Sequence, residues 1–375
     1  MRRGADARAS DVLAAVELIA PLAGAAEWDN VGLLCGRAEW PASRVLLAID
    51  LTDAVAREAL RRRTQMLLVY HPPIFKGVRS VTPAAAASTT MLPDLLAQRV
   101  AVIAVHTALD AAPGGTNDLL VDMLDCVERW PLEPQRVEGA GYKLVVFVPP
   151  AEAPRLRAAL SNAGAGVIGH YAECSFELRG RGTFLGDETT RPAIGQRGEL
   201  ETVEEARLEM VVPASRLGPV VRALYAAHSY EEPAFDLYPV HELRGRGQAG
   251  MGRVGRLRRP LRGRAIVEAL RRRVDLSTAT VVGDLRRRFA RVTAAAGSFG
   301  ASAHRDPDSL VITGELRHHE ALELLARGVT AICLGHYASE RPALAYLRRR
   351  LRALVPGAKV EVSAADRSPL VSVAE

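Results

Sequence analysis

The chain has 375 residues, of which 48% are hydrophobic and 25% charged, and a net charge of +6. That length points to two or three domains of about 100–200 residues each, and that composition excludes disorder as the main state. The longest apolar runs, such as Val100–Val105, are too short to span a bilayer, and the opening MRRGADARAS lacks the apolar stretch of a secretory signal, so a cytoplasmic protein with no membrane partner is expected.

Arg44–Leu51 (RVLLAIDL) reads as a buried strand, followed by a helix from Asp53 to about Arg63. Gln65–His71 is a second strand, Pro93–Arg99 a short helix, Val100–Thr107 a third strand and Thr116–Cys126 a helix. Continuous apolar strands spaced by helices imply a parallel sheet covered on both faces. The composition breaks at Pro131–Gly141. Beyond it, Lys143–Val148, Cys174–Leu185, Leu208–Val212 and Phe235–Val240 read as strands, with helices at Glu152–Ala163 and Ala214–Ala227. Strand–helix–strand repeated twice is the ferredoxin-like order. A second break, Arg244–Gly252, is rich in Gly and Arg. After it come short strands at Thr278–Val282, Arg291–Ala295, Leu310–Thr313, Val329–Leu334 and Lys359–Ser363, with helices around Glu320–Ala326 and Ser339–Leu351. The expected architecture is an α/β domain, residues 1–140 with 246–375, interrupted by an α+β insert at 141–245.

The basic balance suggests an anionic partner such as nucleic acid. However, three of the 49 basic residues are lysines (Lys76, Lys143, Lys359), so 46 are arginines, as a coding bias would give. The runs Arg61–Arg63, Arg271–Arg273, Arg286–Arg288 and Arg348–Arg350 mostly fall at predicted helix ends, where positive charge suits the dipole. Aromatic residues are 5% and do not interleave with these runs, so nucleic-acid binding is not expected. Cys35, Cys126, Cys174 and Cys333 form no CxxC pair, which argues against a zinc ribbon and for reduced thiols.

Polar groups end three of the buried strands. One strand runs into His71, one into His106 and Asp110, and one into His336 and Glu340. Ligand sites of open α/β sheets lie outside the carboxyl ends of the strands. His336 and Glu340, at i and i+4, share a helix face. A single histidine at a strand end is ordinarily structural, and Asp110 alone suits a turn in LDAAPGGTND. Taken together, imidazoles and carboxylates at one sheet edge suit Zn, Fe, Mn or Ni.

The segments WDNVGLLCG (28–36), HPPIFKG (71–77), HTALDAAPGGTNDLL (106–120) and GELRHHEALELLARGVTAICLGHYASER (314–341) resemble the NIF3-like family of dinuclear metal centre proteins, some of which carry the label GTP cyclohydrolase I type 2 homolog. The stretches GAGVIGHYAECSFELRGRGTFLG (164–186) and AHSYEEPAFDLYPV (227–240) are similar to the PII/CutA-like insert of its longer bacterial members. The resemblance spans about Ser10 to Glu361. It implies a NIF3-like parallel-rich sheet domain, a homo-oligomer that is a hexamer, and two divalent ions per chain. The implied ligands are His71, Asp110, His336 and Glu340, with the glutamate bridging two ions that activate water.

One departure matters. The family usually has two adjacent histidines where this chain has Tyr70-His71. A phenol with a pKa near 10 is a poor ligand. Three outcomes follow: a weak or absent second metal, a Tyr70 phenolate ligand, or compensation by His106, which also suits an outer role. Gly297-Ser298-Phe299-Gly300 stands near the family's glycine-rich loop and reads as a tight turn or an anion loop. His318 and His319 are expected either on the helix surface or lining the cavity. In the insert, His170, Glu173, His228, Glu231 and Glu232 suit packing and trimer contacts or a small ligand site.

The resemblance makes a metal-dependent hydrolase of a small phosphorylated or nucleotide-like compound the first expectation. The second is a metal-binding regulatory protein or metal chaperone whose PII-like insert senses a ligand.

Overall fold

The structure is a computed structural model and describes residues 7–78, 80–82, 87–135, 141–168, 171–240, 249–298, 300, 304 and 306–372. In chain order its strands are β1 (Gly32–Cys35), β2 (Arg44–Ala48), β3 (Met66–Val69), β4 (Ala101–Ala104), β5 (Cys126–Pro134), β6 (Gly141–Val148), β7 (Ser175–Leu185) and β8 (Leu200–Pro213). There follow β9 (Phe235–Val240), β10 (Gly250–Arg262), β11 (Thr280–Val282), β12 (Arg288–Ala295), β13 (Ser309–Thr313), β14 (Thr330–Cys333) and β15 (Lys359–Val362). The chain divides into two compact units, Met1–Gln135 with Gly245–Glu375, and Arg136–Arg244.

The first unit is mixed α/β with two parallel-rich sheets, where the sequence pattern suggested one. In the five-stranded sheet the order is β1-β4-β3-β2-β15, parallel throughout except for β1 against β4. Alternate side chains on β2, β3 and β4 fall into two separate cores, because each face is covered. Leu47, Leu68 and Ile103 pack with the helices Ala9–Ile19 and Pro342–Leu354. Leu46, Leu67 and Val102 pack with the helices Asp53–Arg61 and Leu92–Ala97. Burial on both faces is why these strands read as continuous apolar runs. The helix Asp53–Arg61 begins where Thr52 accepts from the Val55 N–H at 3.3 Å, and carries Asp53 in its first turn and Arg61 in its last.

In the six-stranded sheet the order is β11-β14-β13-β12-β10-β5, with β12, β13 and β14 parallel and the other pairings antiparallel. Phe289, Val292 and Ile312 pack against Ile266 and Leu270 of the helix Gly263–Arg271 and against Leu120 and Val121 of the helix Thr116–Val121. The two composition breaks look different here. β5 and β10 form a long antiparallel ladder from Gly250↔Pro134 to Leu257↔Cys126, while residues 136–140 and 241–248 lie outside the described residues. The arginine runs also divide. Arg61 and Arg271 end helices, Arg348–Arg350 lie within one, and Arg288 begins β12.

The second unit is an antiparallel sheet of order β7-β8-β6-β9. Its core joins Leu144, Val146, Leu208 and Met210 to Leu156 and Leu160 of the helix Ala153–Asn162 and to Val220 and Leu224 of the helix Leu217–Ala227.

Residues just beyond β15 are pinned by a buried carboxylate. Glu58 accepts from the Ser363 hydroxyl at 2.5 Å, from the Ala364 and Ala365 N–H groups at 3.2 and 2.9 Å, and from Arg62 at 2.7 Å. Burial opposes ionisation, but these donors outweigh it and hold the carboxyl at about 2, against an ordinary 4.5. A depressed folded pKa gives stability that is present above the unfolded value and lost as pH falls towards 2. Thermal melts should therefore lose Tm between about pH 5 and pH 2 more steeply in the native chain than in Glu58→Gln. At pH 7 the variant should be less stable by about 1–3 kcal/mol. Parallel pH profiles for the two proteins would contradict this.

Among the described residues no helix is long and apolar enough to cross a membrane. The four cysteines are free, with Cys35 and Cys333 buried.

Candidate metal centre

β3 ends at Val69, and the chain continues through buried Tyr70 to His71. β14 ends at Cys333, and Gly335, at φ +92°, turns the chain into the short helix His336–Glu340. These two strand ends bring three groups together. His71 Nε2 lies 3.2 Å from Glu340 Oε2, and His336 Nε2 lies 3.2 Å from Glu340 Oε1. The donor atoms of His71, His336 and Glu340 all fall within 4.8 Å of one another, so this group could hold a metal ion. Glu340 is buried, and its Oε2 has no hydrogen-bond partner among the described residues. A buried carboxylate oxygen without a donor is costly unless a cation answers it.

Two outer carboxylates orient the imidazoles. His71 Nδ1 is 2.9 Å from Asp50 Oδ1, at the end of β2, and His336 Nδ1 is 3.1 Å from Glu315 Oε1, just after β13. With Nδ1–H directed to a carboxylate, each Nε2 presents a lone pair to the centre, the arrangement usual for metal-ligating histidines. In the metal-free chain a proton takes the cation's place. Burial opposes protonation of His71, but Asp50 and Glu340 outweigh it and lift the imidazolium to about 10. Contact with Glu340 is the main cause that lifts His336 to about 9. Burial would raise Glu340, yet the two histidines hold it below the usual carboxylate range.

Gly297 covers this group closely. A Cβ there would stand 2.7 Å from Glu340 Oε1 and 3.3 Å from His336 Nε2, and the backbone is left-handed at φ +63°. Its N–H donates to Ser339 Oγ at 2.9 Å, so it is not offered to an anion. This favours the tight-turn reading of the glycine pair; Phe299 lies outside the described residues.

A second network lies beside the first. The Tyr70 hydroxyl donates to Asp110, and it also lies 2.9 Å from Thr116 Oγ1. Burial, reinforced by the charges of Asp110 and Glu340, pushes Tyr70 well above its ordinary value. Burial likewise raises Asp110, to about 6, with the Glu340 charge adding to it and the Tyr70 donation opposing it. Asn117 fastens this corner, donating to the Asp110 carbonyl at 3.0 Å and accepting from the Ala296 N–H at 2.8 Å. His106 stands at φ +24°, with Nδ1 2.8 Å from Asp29 Oδ1 and its ring centre 5.2 Å from that of His71. Asp29 also accepts from the Thr107 N–H at 3.1 Å and from its hydroxyl. Burial would raise Asp29, but these donors bring it to about 2.

A profile described as Duf34/NIF3 (NGG1p interacting factor 3) matches residues 7–369. The chain belongs to the DUF34/NIF3 family. It is 35% identical over 334 residues to a "GTP cyclohydrolase 1 type 2 homolog" of Halalkalibacterium halodurans, with 88% of each chain covered. It is 36% identical over 352 residues to a protein of the same name from Mycobacterium tuberculosis, with 89% of each covered. The crystal structure of a Bacillus cereus protein related to NIF3 is similar at TM-score 0.66 and 29% identity, covering 99% of this chain and 100% of that one. A Staphylococcus aureus protein is similar in fold at TM-score 0.73 and 23% identity, covering 98% and 99%.

Of the residues singled out by the DUF34/NIF3 resemblance, His71, His336 and Glu340 meet. Asp110 stands outside their group and is engaged with Tyr70. His106 adjoins His71 and is held by Asp29. Sequence reasoning passed over Asp50 and Glu315, although each follows a buried strand as His71 does. His318 and His319 are exposed, their rings 5.5 Å apart. In the insert, His228 is buried, with Nε2 2.9 Å from the Phe147 carbonyl and Nδ1 accepting from the Tyr230 N–H at 3.0 Å, which is a packing role. His170 lies outside the described residues.

Proposed function

We propose that this DUF34/NIF3 protein is a metal-dependent hydrolase of small phosphorylated or nucleotide-like compounds, with one ion held by His71, His336 and Glu340. The observation that carries this is the buried Glu340 carboxylate, facing an imidazole nitrogen at 3.2 Å on each oxygen, with no other hydrogen-bond partner at Oε2 among the described residues. Two imidazoles and a carboxylate suit a divalent Zn, Fe, Mn or Ni ion. Such an ion supplies Lewis acidity, polarising a phosphoryl or carbonyl oxygen and lowering the pKa of water. The chain does the rest. Asp50 and Glu315 fix the tautomers of the two histidines. Asp29 accepts the hydrogen bond of His106 Nδ1–H, which turns the His106 Nε2 lone pair outward beside His71. Tyr70 keeps its proton and directs it to Asp110, so the carboxylate expected as a ligand to a second ion is already engaged. The relatives' name denotes opening of the guanine ring of GTP, which makes GTP one compound to test.

The insert is read as ferredoxin-like. Supporting this, its strands in sequence order 1 to 4 lie in the order 2-3-1-4, all antiparallel, with two helices packed into one core. A homo-oligomer, by family resemblance a hexamer, belongs to the same reading. A second reading, a non-catalytic metal protein that senses a ligand through its insert, is favoured by a cavity of about 280 Å³ there, lined by Phe184, Glu205, Tyr230 and Glu232.

The test is turnover by the Zn- and Mn-loaded chain on phosphomonoesters, nucleoside phosphates and GTP. Glu340→Ala should lower it at least about a hundredfold, since a metal contributes several kcal/mol to the transition state. A fully loaded chain inert on the whole panel would displace the hydrolase reading in favour of the second.

A further inference from the structure

A cavity of about 640 Å³ opens beside His336 in the first unit. Its size lies within the range of small-molecule sites, roughly 300–1,000 Å³. Its walls come from three places in the sequence: the segment after the helix Gly263–Arg271, the start of the helix Pro342–Leu354, and the segment after β15. Each brings arginine. Arg273 comes from the first, Arg341 and Arg348 from the second, and Arg367 from the third. Arg341, Leu344, Ala345 and Arg348 follow the spacing of one helix face.

What sets these arginines apart is that they line one cavity. Arg57, Arg129, Arg256, Arg258 and Arg291 each have a carboxylate partner. Arg341 is paired with Asp366 at 3.3 Å and lies over the Tyr337 ring. Arg273, Arg348 and Arg367 have no carboxylate partner among the described residues. Asp275 and Asp366 also line the cavity, so its four arginines leave the wall net positive, and the forked donors of Arg273, Arg348 and Arg367 match phosphate oxygens. Between the arginines the wall has an apolar part, including Val274, Leu344, Pro369 and Leu370, beside the hydroxyls of Ser277 and Thr278, which suits an organic body rather than a bare ion. His336 lines this cavity and also faces Glu340.

We propose that this cavity is the binding site for a small phosphate monoester, whose phosphate is held by Arg273, Arg348 and Arg367 and whose organic body lies on the apolar wall beside His336. As the substrate pocket of the metal centre it rests on the hydrolase reading; as a phosphate site it stands without it.

Calorimetric titration of the full chain with adenosine 5′-monophosphate, ribose 5-phosphate and unphosphorylated adenosine separates the two. Both phosphorylated probes should bind, and adenosine at least tenfold more weakly than its monophosphate. The double variant Arg273→Gln/Arg348→Gln should lose at least tenfold in affinity for the monophosphate while its metal content and Tm stay native, because both side chains are exposed. The preference for phosphate should persist in Glu340→Ala, which lacks the metal site. Equal binding of adenosine and its monophosphate, unchanged affinity in the double variant, or no binding of either phosphorylated probe would each overturn the proposal. Loss of the preference in Glu340→Ala would place the phosphate on the metal and overturn the assignment to the arginines. A native chain that takes up no divalent ion yet still shows the preference would sink the hydrolase reading and leave this site standing.

Discussion

Metal analysis by mass spectrometry will give close to one ion per native chain, close to two in Tyr70→His, and close to none in Glu340→Ala. The first number follows from the two networks of the centre. His71, His336 and Glu340 converge with an imidazole nitrogen facing each carboxylate oxygen, whereas Tyr70 keeps its proton and donates it in a hydrogen bond to Asp110. To recruit Tyr70 as a ligand, an ion would have to displace that proton from a fully buried phenol held well above its ordinary pKa. Replacing the phenol with an imidazole supplies a lone pair and releases Asp110, and histidine is smaller than tyrosine, so the packed position is not overfilled. Binding to the three-residue site must also expel the protons that His71 and His336 hold up to about 10 and 9. Apparent affinity should therefore rise with pH up to about 10 and fall steadily on acidification. Two ions in the native chain, or an unchanged count in Tyr70→His, would show that this position does not set the stoichiometry.

Replacing Arg253 with leucine will cost about 3–5 kcal/mol of stability, the usual loss when one partner of a buried ion pair is removed. Arg253, on β10, is 1% exposed, and its Nε lies 2.9 Å from Asp118 Oδ2. One terminal nitrogen donates to the carbonyls of Gly250 and Gly252 at 2.6 and 2.8 Å, and the other to those of Ala111 and Ala112 at 3.2 and 3.1 Å. The last two carbonyls end the helix His106–Ala111, so one guanidinium fastens the element that carries His106 and Asp110 to the six-stranded sheet. Asp118 retains Arg129 at 3.3 Å and the Gly114 N–H at 2.7 Å, which keeps the loss within that range. Lysine cannot reproduce this set of donors, so Arg253→Lys should fall near Arg253→Leu. The double variant Arg253→Leu/Asp118→Leu should recover part of the loss, because no uncompensated charge is left behind. Denaturant midpoints at constant slope measure all three; a change below about 1 kcal/mol in Arg253→Leu would contradict the clamp.

The sequence was most legible where burial is two-sided. β2, β3, β4 and β14 are uninterrupted apolar runs because both of their faces are covered, and the first polar residue after such a run sits at the sheet edge. That logic located His71, His336 and Glu340, and applied evenly it would also have found Asp50 at the end of RVLLAID and Glu315 after β13. It was weakest for β5 and β10. β5 is an edge strand that contains Pro131 and Pro134 and is mostly exposed, with Pro131 its one buried residue, as an edge permits. β10 carries five arginines, one of them turned fully inward as Arg253. Neither resembles a buried strand in isolation. Nor could spacing reveal the Tyr70–Asp110 contact, since only the fold brings positions 40 residues apart into a single hydrogen bond.

The pairing of β15 with β2 sets an order of events for the nascent chain. Arg44 and Lys359 are register partners 315 positions apart, and β15 occupies the outer edge next to β2. Until the last strand leaves the ribosome, β2 presents an open apolar edge, and Glu58 lacks the hydroxyl and amides that receive it. His71 likewise waits for Glu340, so the three groups cannot capture metal together until Glu340 has emerged. The insert has its own core and can fold during that interval. Closure of the first sheet therefore waits for β15, and a chain stopped short of β15 is left with a sticky edge for quality control to recognise.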